Sequence, residues 1–295
     1  MIPGAATWAP FVSSKEMTVL TSKGEGWLMR LEIGCLLATA LLVSAPAHAQ
    51  VTWQLGDQSW CDDYDGDSAR YCEVRVATLP ATGELEVDGG PNGSIDVEAW
   101  DGSEVEVEAR VTANARSQER ADEIAAAIEL LAESGRIDSD GPRSLRREGW
   151  AVSYRVRVPR DTNLELDTTN GGIDVLGVSG DIDFSATNGG VTLAGLAGDV
   201  RGHTTNGGLR VELAGDRWTG SGMDVRTTNG GVTVVVPDDY SAELEVGTTN
   251  GGIDMDFPVT IQGRVGRRQL STTLGDGGSR IRAVTTNGGV RVVRR

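Results

Sequence analysis

Asp63, Asp65 and Asp67 place three carboxylates within five residues, an oxygen-rich segment of the kind that holds calcium. The bidentate Glu that closes an EF-hand loop is missing downstream, so an acidic surface turn explains the same residues. His203 is the single histidine beyond residue 49. A serine-hydrolase reading would need it as the base, yet no Gly-x-Ser-x-Gly elbow exists to present a nucleophile. Lysine occurs only at Lys15 and Lys23, which leaves no lysine nucleophile in the rest of the chain. Asp174, Asp183, Asp224 and Asp254 recur at strand positions expected to face outward. Stacked, they would form an acidic stripe, and a pair of them could cleave polysaccharide. A solvated strand face explains the alternation without catalysis. The expectation is a chain that is not an enzyme and has no cofactor and no assigned metal.

The elements that must position these residues are mostly strands. Glycine is abundant, at 40 residues, and aromatic residues make up only 5% of the chain. With many Val, Thr and Asp, this composition reads as an all-β protein rich in turns. Residues 83–88, 94–99 and 104–111 alternate apolar with charged residues, as half-buried strands do. Residues 117–134 carry helical spacing, with Ile124, Ile128 and Leu131 on one face. They predict one helix, capped by Ser117 and ended by Gly135.

From residue 160 the chain is periodic. Thr-Asn-Gly-Gly occurs six times, at Asn170, Asn188, Asn206, Asn229, Asn250 and Asn287. The intervals are 18, 18, 23, 21 and 37 residues. A repeat near 20 residues marks a solenoid or a similar array. Each unit reads as an Asn-Gly corner at positive φ, an alternating strand, a second turn and a returning strand. A meander of hairpins fits each unit locally. Stacking also explains why the whole tetrapeptide recurs, because aligned asparagines form an amide ladder. The expected fold is therefore an all-β, single-stack β-solenoid of about 18–23-residue coils, with one helix in its N-terminal part. The long last interval suggests a degenerate coil, with residues 272–278 a decayed turn. The terminal arginines, Arg294 and Arg295, would cap an open end.

The expected organisation has four parts: an N-terminal extension and signal peptide (1–49), a disulfide-bearing lead-in (50–79), strands plus the helix (80–159) and the Thr-Asn-Gly-Gly solenoid (160–295). Ile33–Val43 is an apolar run followed by Ala47-His48-Ala49, which predicts export and cleavage between Ala49 and Gln50. Translation could begin at Met1, Met17 or Met29. Cys61 and Cys72 then remain, and an even count in an exported chain predicts one disulfide. In the loop-entropy model so short a closure is worth about 3 kcal/mol. A formal net charge of −16 repels nucleic acid at long range and suits a soluble surface.

Val156-Arg157-Val158-Pro159, followed by Leu164–Val175 with its Thr168-Thr169-Asn170-Gly171-Gly172 core, resembles the bacterial putative-adhesin family of β-strand-repeat domains of unknown function. Gly277–Arg282 running into Thr285–Val290 is similar to that family's ending. The resemblance covers roughly residues 80–293. It implies a β-solenoid-like fold and an exported or envelope-associated protein, and it brings no catalytic residues. The expected function is an adhesin-like or envelope scaffold whose partner is a cell-surface glycan or an envelope protein. It would bind no nucleic acid, and the mature chain would have no transmembrane span. A carbohydrate-active β-helix enzyme and a periplasmic component of envelope-stress signalling stand as the alternatives.

Overall fold

A computed structural model of the chain describes residues 51–62, 69–133, 135–255 and 266–295. The proposed signal peptide and Asp63, Asp65 and Asp67 lie outside the described residues. Alternation sets the architecture. In Asp181–Ala186 the residues Ile182, Phe184 and Ala186 are buried while Asp181 and Asp183 are exposed. Strands of this pattern form two sheets whose apolar faces enclose one elongated core.

Each repeat is one rung: a strand in the second sheet, the Thr-Asn-Gly-Gly corner, then a strand in the first sheet. Rung 1 joins Glu84–Asp88 to Ile95–Trp100, and rung 2 joins Asn163–Thr168 to Ile173–Leu176. Rung 3 joins Asp181–Ala186 to Val191–Ala194, and rung 4 joins Asp199–Asn206 to Leu209–Glu212. Rung 5 joins Gly222–Asn229 to Val232–Val236, and rung 6 joins Ala242–Asn250 to Ile253–Met255. Rung 7 joins Arg280–Asn287 to Val290–Arg294. Neighbouring rungs pair in parallel and in register, Ile173 opposite Val191 and Ile182 opposite Val200. The fold is thus the expected β-solenoid, and the hairpin alternative is excluded at these corners.

The C-terminal rungs depart from expectation. The spatial order is 1-2-3-4-5-7-6, because rung 7 lies between rungs 5 and 6. Residues 272–278 are not a decayed corner. Gln269–Leu274 runs antiparallel along the outside of rung 6, and Gly275 and Gly277 turn the chain back at φ 51° and 77°. The final strand, Val290–Arg294, is interior to the first sheet, so the terminal arginines do not cap an open end.

At the other end the first sheet widens. Rung 1 pairs with Gly149–Pro159, which pairs antiparallel with Glu104–Ala115, which in turn pairs with Ala69–Pro80. The helix is shorter than predicted, Gln118–Ala126, with Ser117 Oγ accepting from the Arg120 N–H at 3.3 Å. Glu129–Glu133 is a strand that pairs antiparallel with Arg136–Asp140 at the edge of the second sheet. So short a segment, with Leu130, Leu131 and Ala132 between two glutamates, fits either period, and here an open sheet edge recruits it. Leu131 is consequently exposed, while Ile128 joins the main core. Gly135 does adopt φ 86°, but in a hairpin turn.

Candidate functional site

The corners form a column along one edge of the solenoid. The Asn188 side-chain N–H donates to Asn170 Oδ1 at 2.7 Å, Asn206 to Asn188 at 2.8 Å, and Asn229 to Asn206 at 2.8 Å. Asn287 continues to Asn229 at 2.7 Å, and Asn250 to Asn287 at 2.7 Å. All six predicted asparagines are therefore brought together. A seventh, Asn92, accepts from Asn170 at 3.2 Å. The tetrad does not reveal it because Pro91 stands in place of the threonine and Ser94 in place of the second glycine, although Asn92-Gly93 leads into the same Ile-Asp-Val strand as rung 2.

The threonine two places before each asparagine points inward. Thr204 and Thr227 donate at 2.8 Å to the carbonyls of Gly189 and Gly207 in the preceding rung, and Thr285 at 2.8 Å to that of Gly230. Rung 3 substitutes Ala186 at this position. The first glycine of each tetrad has a steric reason. A Cβ at Gly189 would sit 1.7 Å from the Gly171 carbonyl oxygen, and one at Gly207 1.8 Å from that of Gly189. No tetrad glycine has positive φ, which corrects the expected left-handed corner; close approach of stacked backbones selects glycine here. The threonine directly before each asparagine points outward. The hydroxyls of Thr169, Thr187, Thr205, Thr228, Thr286 and Thr249 form a second column and make no hydrogen bond among the described residues.

The outer face of the first sheet is concave at its wide end and forms a groove of about 950 Å³. Asp96 and Asp174 lie on adjacent strands of its floor, with Glu98, Arg155 and Leu176 beside them. The lead-in supplies one wall through Thr52 and Gln54. Cys61 and Cys72 form the expected disulfide, with Cα atoms 5.8 Å apart. The bridge holds Trp60 where the guanidinium groups of Arg155 and Arg110 lie 3.9 and 4.6 Å from its ring centre. Arg155 approaches Asp96 at 3.9 Å, and Arg157 is ion-paired with Glu106. Burial, and then the neighbouring Asp174, holds the Asp96 carboxyl above its ordinary value.

The four outward aspartates do not form one stripe. Asp174 and Asp254 lie on the first sheet, Asp183 and Asp224 on the second. Arg201 separates Asp183 from Asp224, and Arg282 pairs with Asp224 at 2.7 Å. His203 borders a shallow depression of about 510 Å³ on the second sheet. Asp167, Ser185 and His203 are side by side on adjacent strands, but serine occupies the middle. A hydrolytic triad needs histidine there, between acid and nucleophile. Among the described residues no His, Cys, Asp and Glu group is arranged to hold a metal ion, and no helix is long and apolar enough to cross a membrane.

No curated protein matches the chain. A crystal structure of a putative cell adhesion protein from Clostridium sporogenes ATCC 15579 is similar, with a TM-score of 0.45 at 10% identity, covering 77% of this chain and 100% of that one. A putative adhesin from Bacteroides fragilis NCTC 9343 gives a TM-score of 0.36 at 11% identity, covering 75% of this chain and 97% of that one. A family model described as Toastrack DUF4097 matches residues 78–293, from the end of Ala69–Pro80 through rung 7. On that match, the chain belongs to the Toastrack DUF4097 family.

Proposed function

We propose that this is an exported, non-catalytic, adhesin-like scaffold of the cell envelope, and that its asparagine edge is the binding surface for a neutral surface glycan. The observation that carries this reading is the exposed threonine column beside the asparagine ladder. Its hydroxyls have no partner among the described residues and recur at the spacing of parallel strands, about 4.8 Å. A ligand with its own repeating hydroxyls would meet many weak, equivalent contacts, and such contacts gain strength together. The apolar run and small-x-small site before Gln50 support export.

The test is a pull-down of the purified protein on insoluble glycans and cell walls. Thr187→Val, Thr205→Val and Thr228→Val are combined, since valine keeps the branched shape and removes the hydroxyl. The expected result is retention of the parent on at least one polymer, with roughly tenfold less retention of the triple variant at unchanged melting temperature. Absence of retention on every polymer would defeat the adhesive role and leave that of a scaffold.

One observation favours a second reading. Asp96 and Asp174 are neighbours in a groove, close to the carboxyl separation of about 5 Å that retaining glycosidases use. New reducing ends released from a polysaccharide by the parent, and not by Asp174→Asn, would establish it.

A further inference from the structure

Among the described residues three carboxylates of the groove, Glu98, Glu108 and Asp174, make no ion pair. The two arginines of the floor are already engaged, Arg155 with Asp96 and Trp60, and Arg157 with Glu106 and Trp100. The floor also exposes Leu176, which is 50% accessible. An occupant must therefore bring positive charge around an apolar centre.

The chain carries such a feature elsewhere. Arg143-Ser144-Leu145-Arg146-Arg147 connects the second sheet to the first and is exposed at all five residues. The Glu148 N–H donates to the Leu145 carbonyl at 3.1 Å, which folds the segment into a turn. Leu145 is 59% accessible, and Arg143, Arg146 and Arg147 make no ion pair among the described residues. Among the described residues four large apolar side chains are exposed; one tops this loop and another lies in the groove. The loop cannot reach its own groove. Gly149–Pro159 is one continuous strand, and it sets Arg147 about 26 Å from Arg155 of the floor.

We infer that the Arg143–Arg147 loop of one molecule docks in the first-sheet groove of a second copy, with Leu145 against Leu176 and the three arginines facing Glu98, Glu108 and Asp174. The contact joins two different surfaces. Copies therefore either exchange loops as a closed pair or continue head to tail as a chain. The lead-in completes the groove wall and lies outside the residues that the family model matches, so this assembly draws on a segment beyond the family domain. The inference does not depend on glycan binding at the asparagine edge, which is a different surface. A five-residue loop in a groove is a small interface, so the dissociation constant should be on the order of 10–100 µM.

Sedimentation equilibrium of the purified protein tests this. The loop variant is Arg143→Glu with Arg146→Glu, and the groove variant is Glu98→Arg with Asp174→Arg. The parent should increase in average mass across the micromolar range. Each variant alone should associate at least roughly tenfold more weakly, because like charges then face each other. An equimolar mixture should recover the parent's association, since the acidic loop of one variant fits the basic groove of the other. That recovery also shows that both variants are folded. A monomeric parent at millimolar concentration, variants that associate like the parent, or a mixture that stays dissociated would each overturn the inference. Binding of a foreign basic peptide by a monomeric parent would give the groove a different occupant and overturn it equally.

Discussion

Rungs 2 to 5 stack in the order in which the chain makes them, each on its predecessor, whereas rung 7 enters between rungs 5 and 6. The two regions use the same corner. Asn287 receives the Asn250 amide and gives its own to Asn229 with the geometry found between Asn206 and Asn188. Because every corner offers the same interface, the tetrad fixes register and spacing but not the order of stacking. The difference lies on the opposite edge, where the connections vary, and length alone does not set it: the longer link from Glu212 to Gly222 joins adjacent rungs, while the shorter one from Val236 to Ala242 skips a slot. The link from rung 5 to rung 6, through Asp239 at φ 59°, leaves room for one rung. The chain fills that slot last.

The comparison breaks most visibly by removing the inserted rung. Deleting Arg280–Arg295 strips Ile281, Ala283, Val290 and Val292 from the core and leaves rungs 5 and 6 without a shared neighbour. The three large side chains alone correspond to about 5–9 kcal/mol of burial. Proteolysis should then cut within residues 222–274. Deleting the peripheral Val51–Asp62 should leave rungs 2 to 5 protected.

A pair of glycine variants sharpens the contrast between the two edges. Gly189→Ala drives a Cβ into the Gly171 carbonyl and should cost about 2–3 kcal/mol by forcing two rungs apart. Gly215, on the variable edge, has open space around it and φ 75°. Its alanine variant should cost only about 1 kcal/mol, from backbone strain alone. Urea unfolding of both proteins measures the difference.

Asn206→Ala is smaller still. It removes two ladder bonds, to Asn188 and from Asn229, but both are at the surface. A loss of about 0.5–1.5 kcal/mol is expected, and less for Asn250→Ala at the end of the column, which removes one.

The smallest effect concerns the groove. Glu98, Glu108, Arg110, Arg155 and Asp174 surround Asp96, and its folded carboxyl titrates above its ordinary value of 3.8. The folded protein therefore holds this proton more tightly than the unfolded chain does. The resulting penalty is absent below pH 3.8, grows as pH rises through the raised value and is complete at neutral pH. Asp96→Asn should raise the melting temperature slightly at pH 7 and leave it unchanged at pH 3.

These contrasts also show where the amino-acid pattern carried information. The asparagine column was legible because stacked corners repeat their chemistry, and Asn92 escaped because Pro91 and Ser94 both break the tetrad. The glycine requirement was recognised for the wrong reason: a turn residue implies positive φ, while a stacked backbone also excludes a Cβ, and a single unit cannot distinguish the two. The helix end was misjudged because Glu129–Glu133 answers to a sheet edge formed by Arg136–Asp140. The groove was illegible, since Thr52, Glu108, Arg155, Asp96 and Asp174 meet only when five separate segments come together. The place of rung 7 was equally hidden, because identical corners carry no address.

Cysteine pairs in the asparagine column test the inserted rung most directly. Adjacent in-register positions are about 5 Å apart, within reach of a disulfide, while positions two rungs apart are about 10 Å and beyond it. The order described here predicts that Asn229→Cys with Asn287→Cys crosslinks under mild oxidation and that Asn229→Cys with Asn250→Cys does not. A crosslink between positions 229 and 250, with none between 229 and 287, would mean that the rungs stack in chain order and would contradict the account.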